Sequence, residues 1–515
     1  MSKNTKSYFV TTPIYYPDEI PHLSAGYATI MADCCARYRR MVEDSVHLIT
    51  GSDEHGQKVQ EAAKSHRKTP QEFVDRMVRD FITAWKKLQI SYDDFVRTTD
   101  DRHIQIVENI FEKLLEKGDI YTGEFSGWYC IECETFWPES MVERKRCPRP
   151  ECRHSVKRVK EQGYFFRLSK YRNQILDYLE KTPGFIKPEE CMKNTIDTLR
   201  GELEDICITR KGPIWGIPVP SDPDFKIYVW LDALLNYIAA VGYGSDEFEK
   251  YWPADIHIIG RDMVNFHTII WPAICFALEI PLPGTIFSQG WVISGGKKIS
   301  RSLHGSTNLV EIVDEFGSDA LRYYFLREVS PGDDLEFSIP RLTSRFNNQL
   351  ANDLGNLFRR SISMTIKYCD GMVPERGKLG SRERNLARVF KEVKKEYKKL
   401  MDKLEFREAL ISLWDLVGEL NRYIDNKAPW DLYKKEDKEE LNTTLYTLMD
   451  YLRIITVLVM PFVPRTAIKM WRRLGFRDIL RKKKFDSVNI GLFPAGQTVK
   501  MQSPLFPRIE TMENG

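Results

Sequence analysis

No stretch of this sequence is apolar for long enough to cross a bilayer: the longest, around Ile454 to Val463, is far short of the ~20 residues a spanning helix needs. A secretory leader is missing, since no apolar core precedes a small-residue cleavage site, and so is the Arg- and Ser-rich start of an organelle-targeting segment. A cytoplasmic location with no membrane partner is therefore expected. Net charge is scarce as well, because 76 Lys and Arg against 73 Asp and Glu leave +3 in 515 residues. That is too little to argue for nucleic acid by itself. Basic runs gather late, at 391–403 and 472–484, where a solvated helix face is the plainer explanation. Internal repeats, low-complexity segments and long flexible linkers are absent from the sequence. What is present, 42% hydrophobic and 29% charged residues, is a globular composition for roughly three or four units of ordinary size.

Cysteine is thin too, and ten in a chain this long do not make a disulfide scaffold. Four of them cluster. Cys130-Ile-Glu-Cys133 and Cys147-Pro-Arg-Pro-Glu-Cys152 are two pairs separated by thirteen residues, close to the spacing of a four-cysteine zinc knuckle. The second pair is wider than usual, and His154 is an alternative to Cys152 as fourth ligand. Unrelated thiols, or a metal site since lost, are the competing explanations.

Residues 7 to about 115 alternate strand-like runs (Tyr8 to Val10, Val46 to Ile49) with helical stretches such as Pro70 to Leu88, where Phe73, Met77, Phe81 and Trp85 repeat every four. This is an α/β pattern with a parallel sheet. From 116 to 226 the texture changes to Gly, Cys, Pro and charge, which reads as an inserted module carrying the knuckle. The α/β pattern resumes at Ile227-Tyr228-Val229-Trp230 and Ile256-His257-Ile258-Ile259-Gly260 and runs to about 340. Beyond, at 341–515, the strands disappear. Leu350, Leu354 and Leu357 form a stripe, and helical stretches run from Arg384 to about Tyr423 and from Glu440 to about Met460, predicting an all-α bundle.

Two segments carry the chemistry. Pro13-Ile14-Tyr15-Tyr16-Pro17…Pro21-His22-Leu23-Ser24-Ala25 follows a strand and opens an apolar-periodic helix, so it reads as a strand, a turn and a helix N-terminus, a ready anion site. Lys298-Ile299-Ser300-Arg301-Ser302 follows Gly295-Gly296 and places two cations and two hydroxyls on a loosened loop suited to phosphates. Together they resemble the nucleotide-binding signatures of class I aminoacyl-tRNA synthetases, and their flanks resemble the methionyl-tRNA synthetases. Both depart from the family's form: Ser24 replaces the glycine and Ala25 the second histidine of His-Ile/Leu-Gly-His, and Lys-Met-Ser-Lys-Ser has become Lys-Ile-Ser-Arg-Ser. Gly51-Ser52-Asp53-Glu54-His55-Gly56, Val229-Trp230-Leu231-Asp232-Ala233-Leu234 and Gly260-Arg261-Asp262-Met263-Val264-Asn265-Phe266-His267 follow in the family's order.

The resemblance implies a Rossmann-type sheet (1–115 and 227–340) split by the knuckle insertion, then a helical anticodon-binding domain, and the activation of L-methionine by ATP with Mg2+ before transfer to tRNA(Met). It assigns Ile14, Tyr16, Trp230, Ala233, Leu234 and Tyr237 to the methionine pocket together with Met263, Phe266, His267 and Trp271, and Asp53 to the α-ammonium. An aromatic such as Trp271 before Pro272 fits a core equally well. His22, Lys298 and Arg301 would contact phosphates as the catalytic side chains, with Ser24, Gly260, Asp262 and Ser300 also at ATP. Asn352, Asn356 and Arg360 fall at i, i+4 and i+8 on one helix face, and by resemblance Asn356, Arg360 and Trp430 read a CAU anticodon. The chain ends shortly after Phe493-Pro494, so the dimerising domain of some members is not expected and a monomer is. The altered Ser24-Ala25 pair leaves a second reading open, a methionine- and tRNA-binding paralogue with impaired adenylation; a ligase acting on a non-tRNA acceptor is a third, against which the anticodon residues speak.

Overall fold

A computed structural model of the chain describes residues 7–132, 135–137, 139–148, 152–298 and 308–509. Two compact units divide the chain. The first comprises the described residues of Met1–Ala32, Ser45–Ala84 and Tyr92–Gln289, and the second those of Asp33–Asp44, Trp85–Ser91 and Gly290–Gly515.

A six-stranded parallel sheet organises the first unit. From edge to edge its strands are Asp94–Arg97, Val46–Ser52, Tyr8–Tyr15, Ile256–Gly260, Ile286–Gln289 and Ile186–Lys187. Its central strands are mostly apolar because both faces are covered, and the polar residues they carry are buried, Thr11 and His257 meeting each other at 2.7 Å. Pro13, which has no N–H for a ladder bond, sits where the register between Tyr8–Tyr15 and Val46–Ser52 shifts, between Thr11 and Ile14. Gly51 is required by close approach, since a Cβ there would lie 2.1 Å from the Val96 carbonyl oxygen.

The stretch that the sequence marks as inserted forms antiparallel structure. Ile120–Cys130 pairs with Lys157–Phe166, flanked by Thr135–Trp137 and Ile206–Cys207, and a second small sheet joins Pro218–Val219, Asp222–Ile227 and Thr209–Lys211. One piece returns to the parallel sheet. Ile186–Lys187 pairs with Ile286–Phe287 at the sheet edge, a two-residue strand too short to leave a periodic signal.

The second unit is mainly helical, and its longest stretch is the described part of Gly290–Gly515. Its helices include Ser318–Glu328, Asn356–Cys369, Ser381–Asp402, Phe406–Lys427, Lys438–Val459 and Pro464–Arg473. The stretch read as helical from Arg384 to Tyr423 is two helices, parted at Leu404, whose φ of +67° no helix accommodates. Every residue from Thr443 to Val459 is buried, which makes Lys438–Val459 the central helix of the bundle.

A buried ion pair ties this unit together. The Arg322 guanidinium lies 2.7 Å from Asp33, with both side chains fully enclosed, and donates to the carbonyls of Leu88, Pro461 and Phe462. Asp33 in turn accepts from Arg37 Nε at 2.7 Å and from the Ser91 amide and hydroxyl at 2.7 and 2.6 Å. Burial alone would raise the Asp33 pKa, but the two guanidinium groups and Ser91 outweigh it and hold it at about 2, against an ordinary 3.8. A carboxyl depressed in the folded state stabilises the fold above its ordinary pKa, and that contribution is lost as the pH falls from 3.8 towards 2. Replacing one partner leaves the other buried and unpaired, at a cost of ~3–5 kcal/mol. Asp33→Asn should therefore lower the urea midpoint at pH 7 and flatten its acid dependence below pH 4; an unchanged acid limb would show that Asp33 is not the titrating group.

Candidate functional site

The parallel sheet reverses its winding between Tyr8–Tyr15 and Ile256–Gly260, and in open α/β sheets ligands bind outside the carboxyl ends of the strands at such a switch. Ile14 and Tyr16 stand at the end of the first strand, Asp53 just after its neighbour, and Gly260 and Asp262 at the end of the strand across the switch. The topology thus gathers residues as distant in sequence as Ile14 and Gly260.

The segment after Ser52 is immobilised by its own side chains. Glu54 is fully buried and receives both Arg97 Nε and Nη2, at 2.7 and 2.8 Å, together with the Ser52 and Thr99 hydroxyls. Its carbonyl accepts from Trp215 Nε1 at 2.7 Å, and Trp215 returns its own carbonyl to the Gly56 amide. Asp53 is thereby presented, 3% exposed, on a backbone that cannot drift.

His55 reaches across to the helix Val229–Ala239. Its Nδ1 donates to one Asp232 oxygen at 2.7 Å, while His103 Nε2, from the helix Asp101–Glu116, donates to the other at 2.6 Å. All three side chains are buried. Burial would raise the Asp232 carboxyl, but the two imidazoles outweigh it and hold it at about 2. One carboxylate therefore sets the distance between the Asp53 segment and the helix that carries Trp230, Ala233 and Leu234.

The walls expected of a thioether pocket lie on the same helix and on the π-helical turn Phe266–Ile270. Trp230 and Phe266 stack with ring centroids 3.7 Å apart and planes at 9°. Tyr16 and Trp230 pack on one cluster of Tyr129, Tyr228 and Val229. His267 Nδ1 lies 2.9 Å from the Met263 carbonyl, which only accepts, so Nδ1 carries the proton and Nε2 accepts from the Tyr237 hydroxyl at 2.7 Å. Burial lowers the His267 pKa to about 4, which keeps this ring neutral at physiological pH. Trp271 is fully buried and packs against Tyr237 and Trp252 at 5.8 and 5.7 Å, while its Nε1 donates to His257.

The helix Leu23–Val42 starts beside the switch. His22 caps it, accepting the Ala25 amide on Nδ1 at 3.3 Å, and in its neutral form it therefore carries its proton on Nε2. His22 is exposed, Ser24 half-buried, and Ala25 enclosed at 3%. The Lys297–Lys298 strand pairs with Val292–Ser294. Ser300 and Arg301 lie outside the described residues, as does the side chain of Lys298.

In the insertion, Cys130, Cys147 and Cys152 bring their sulfurs within 4.8 Å of one another. Cys130 and Cys152 are 3.6 Å apart, near the ~3.8 Å edge of a tetrahedron with metal–sulfur bonds of ~2.3 Å. His154 Nδ1 is 3.3 Å from Cys152. Cys133 lies outside the described residues.

In the second unit, Asn356 and Arg360 lie on the helix Asn356–Cys369 and Trp430 on the helix Pro429–Lys434, and Tyr368 of the one stacks on Tyr433 of the other at 4.5 Å. Trp430 is 37% exposed and Arg360 pairs with Asp425 at 2.6 Å. Asn352 falls in the π-helical stretch Phe346–Gly355, and its amide oxygen accepts from Arg508.

Sequence reasoning passed over Glu54, His55, Arg97, His103, Trp215 and Asp232. Asp232 had a signal: a lone carboxylate inside the apolar run Val229–Ala239 must find buried partners. His103 and Arg97 had none, because their roles depend on folding partners more than a hundred, or more than forty, residues away.

A parallel sheet split by an antiparallel insertion, with a helix starting at its switch point and a helical unit following, is the architecture of the class I aminoacyl-tRNA synthetases. The family described as "tRNA synthetases class I (M)" matches residues 8–362, and the "Anticodon binding domain of methionyl tRNA ligase" matches 373–514. Methionine–tRNA ligase of Caldanaerobacter subterraneus subsp. tengcongensis is 46% identical over 98% of this chain and 79% of that protein, and that of Bacillus subtilis 41% over 100% and 79%. Mycobacterium tuberculosis methionyl-tRNA synthetase in complex with methionyl-adenylate superposes with a TM-score of 0.93 at 35% identity, covering 98% of this chain and all of that one. The chain belongs to the methionyl-tRNA synthetase family.

Asp232→Asn leaves two buried imidazoles without their shared anion and should destabilise the protein by ~3–5 kcal/mol. Urea unfolding of the variant against the parent measures this. An unchanged midpoint would mean that His55 and His103 are held by other contacts.

Proposed function

We propose that this chain activates L-methionine with ATP and passes it to tRNA(Met). A methionine carboxylate oxygen attacks the α-phosphorus, pyrophosphate departs, and a terminal ribose hydroxyl of the tRNA then takes the methionyl group from the mixed anhydride and releases AMP. The observation that carries the proposal is the joining, at one switch point, of the rigid Asp53 segment to the stacked Trp230–Phe266 wall through Asp232. Neither step needs a protein nucleophile. Asp53 answers the α-ammonium, and the neutral Tyr237–His267 pair and the aromatic wall suit an uncharged thioether.

Holding the carboxylate and α-phosphate in line is the main catalytic task. His22, which carries its proton on Nε2 when neutral, and the positive end of its helix suit the phosphates, and Gly260 and Asp262 the ribose. Ser24, Lys298, Ser300 and Arg301 are assigned to ATP by family resemblance alone, and Mg2+ accompanies the nucleotide as in synthetases of this class. Asn356, Arg360 and exposed Trp430 would read the CAU anticodon. No helix among the described residues is long and apolar enough to cross a membrane. A cytosolic monomer is the assembly we propose. No observation favours the paralogue with impaired adenylation.

Methionine-dependent ATP–pyrophosphate exchange and charging of a CAU tRNA test this reading. Both should occur, and Trp430→Ala should weaken tRNA binding by ~1–3 kcal/mol while exchange persists. Absence of exchange by the parent protein would refute the activity, and unchanged tRNA affinity in the variant would refute the anticodon role.

Three clustered thiols, with Cys133 close in sequence, fit a soft metal better than a hard one, and we assign zinc in a structural role. One equivalent per chain is the expected metal content, and Cys147→Ser should lose it. A folded, metal-free parent protein would overturn the assignment.

A further inference from the structure

The start of the nucleotide-site helix is held by a residue that neither the motif nor the pocket includes. Gln289 ends the strand Ile286–Gln289, directly beside Gly260 in the parallel register, and is 4% exposed. Its Nε2 donates to the Ser24 carbonyl at 3.2 Å. That contact fixes which way the amide faces, since turning it over would set two oxygens against each other. Next along the helix, the Ala25 carbonyl accepts from the Thr29 hydroxyl at 2.8 Å and the Ala25 amide donates to His22. The first turn is thus tied by side chains at successive residues, in the two positions where this chain departs from the family's motif.

The other half of the same amide is unusual. Gln289 Oε1 is buried and has no hydrogen-bond partner among the described residues. An unmade buried acceptor costs free energy, whereas a phosphate, itself an acceptor, cannot complete it. A nucleoside can, because both its exocyclic amine and its ribose hydroxyls donate.

We propose that Gln289 is a positioning residue of the nucleotide site: through the Ser24 carbonyl it sets the helix start that faces ATP, and its Oε1 takes a hydrogen bond from a nucleoside N–H or O–H donor. This rests on the ATP-dependent reading given above. Most of the residues assigned to methionine stand elsewhere, on the Val229–Ala239 helix and the Phe266–Ile270 turn.

Two variants test it in methionine-dependent exchange. Gln289→Leu removes both halves of the amide, and Gln289→Glu keeps the acceptor and shape but has no donor for Ser24. Loss of a hydrogen bond of ordinary strength should raise the KM for ATP by about 3- to 10-fold in each, with the KM for methionine changed less than about twofold. Purine-riboside triphosphate, which lacks the 6-amino group, and 2′-deoxy-ATP separate the two donors: the parent should discriminate against one of them, and Gln289→Leu should not. An unchanged KM for ATP, or equal rises for ATP and methionine, would overturn the positioning role. Discrimination by the leucine variant equal to that of the parent would overturn the Oε1 contact. If the parent shows no exchange at all, the functional reading fails separately, and calorimetric titration of ATP into parent and variants still decides the role of Gln289.

Discussion

Asp232 is the interaction on which the site depends. A carboxylate this deeply enclosed is tolerated only because two imidazole N–H groups meet it, one from the segment after Asp53 and one from the helix Asp101–Glu116. The consequence is geometric. The same helix that holds Asp232 inward carries Trp230 and Leu234 on neighbouring turns, so the charge cannot shift without moving those side chains. The second unit uses the same device on a larger scale, where Arg322 satisfies Asp33 and three backbone carbonyls at once. In both places a buried charge fixes elements that apolar packing alone would let slide.

Rigidity at the neighbouring loop has a different origin. Glu54 is saturated by Arg97 and two hydroxyls, and Trp215 reaches in from the insertion to take its carbonyl. The insertion is therefore more than a carrier for the thiol cluster: its Thr209–Ile227 part closes over the segment that presents Asp53. A binding group on a loop is as precise as the side chains that support the loop.

How much of this was legible in the sequence depended on range. Runs such as Tyr8–Val10 and Ile256–Gly260 announced buried parallel strands because both faces had to be apolar, and the leucine stripe at 350, 354 and 357 announced a buried helix face, all three residues being fully enclosed. The assignment of residues such as Trp230 and Trp271 to a methionine pocket came through family resemblance, as periodicity cannot tell a pocket wall from a core. Ile186–Lys187 was invisible for want of length. Glu54, Arg97, His55 and His103 are unremarkable polar residues until the fold brings their partners to them.

The altered motif can be weighed in the same terms. In the family's pattern the second histidine supplies a donor to phosphate, and Ala25, 3% exposed, supplies none. What the helix start keeps is its backbone: His22 caps it by accepting the Ala25 amide, and Gln289 and Thr29 hold its first carbonyls. Preorganised N–H groups stabilise an anion without reorganising, and this is the property that catalysis of phosphoryl chemistry requires. A side-chain donor can thus be lost from such a site with its function retained, provided the backbone it stood on is held by something else, and in this chain the residues that hold it lie outside the motif.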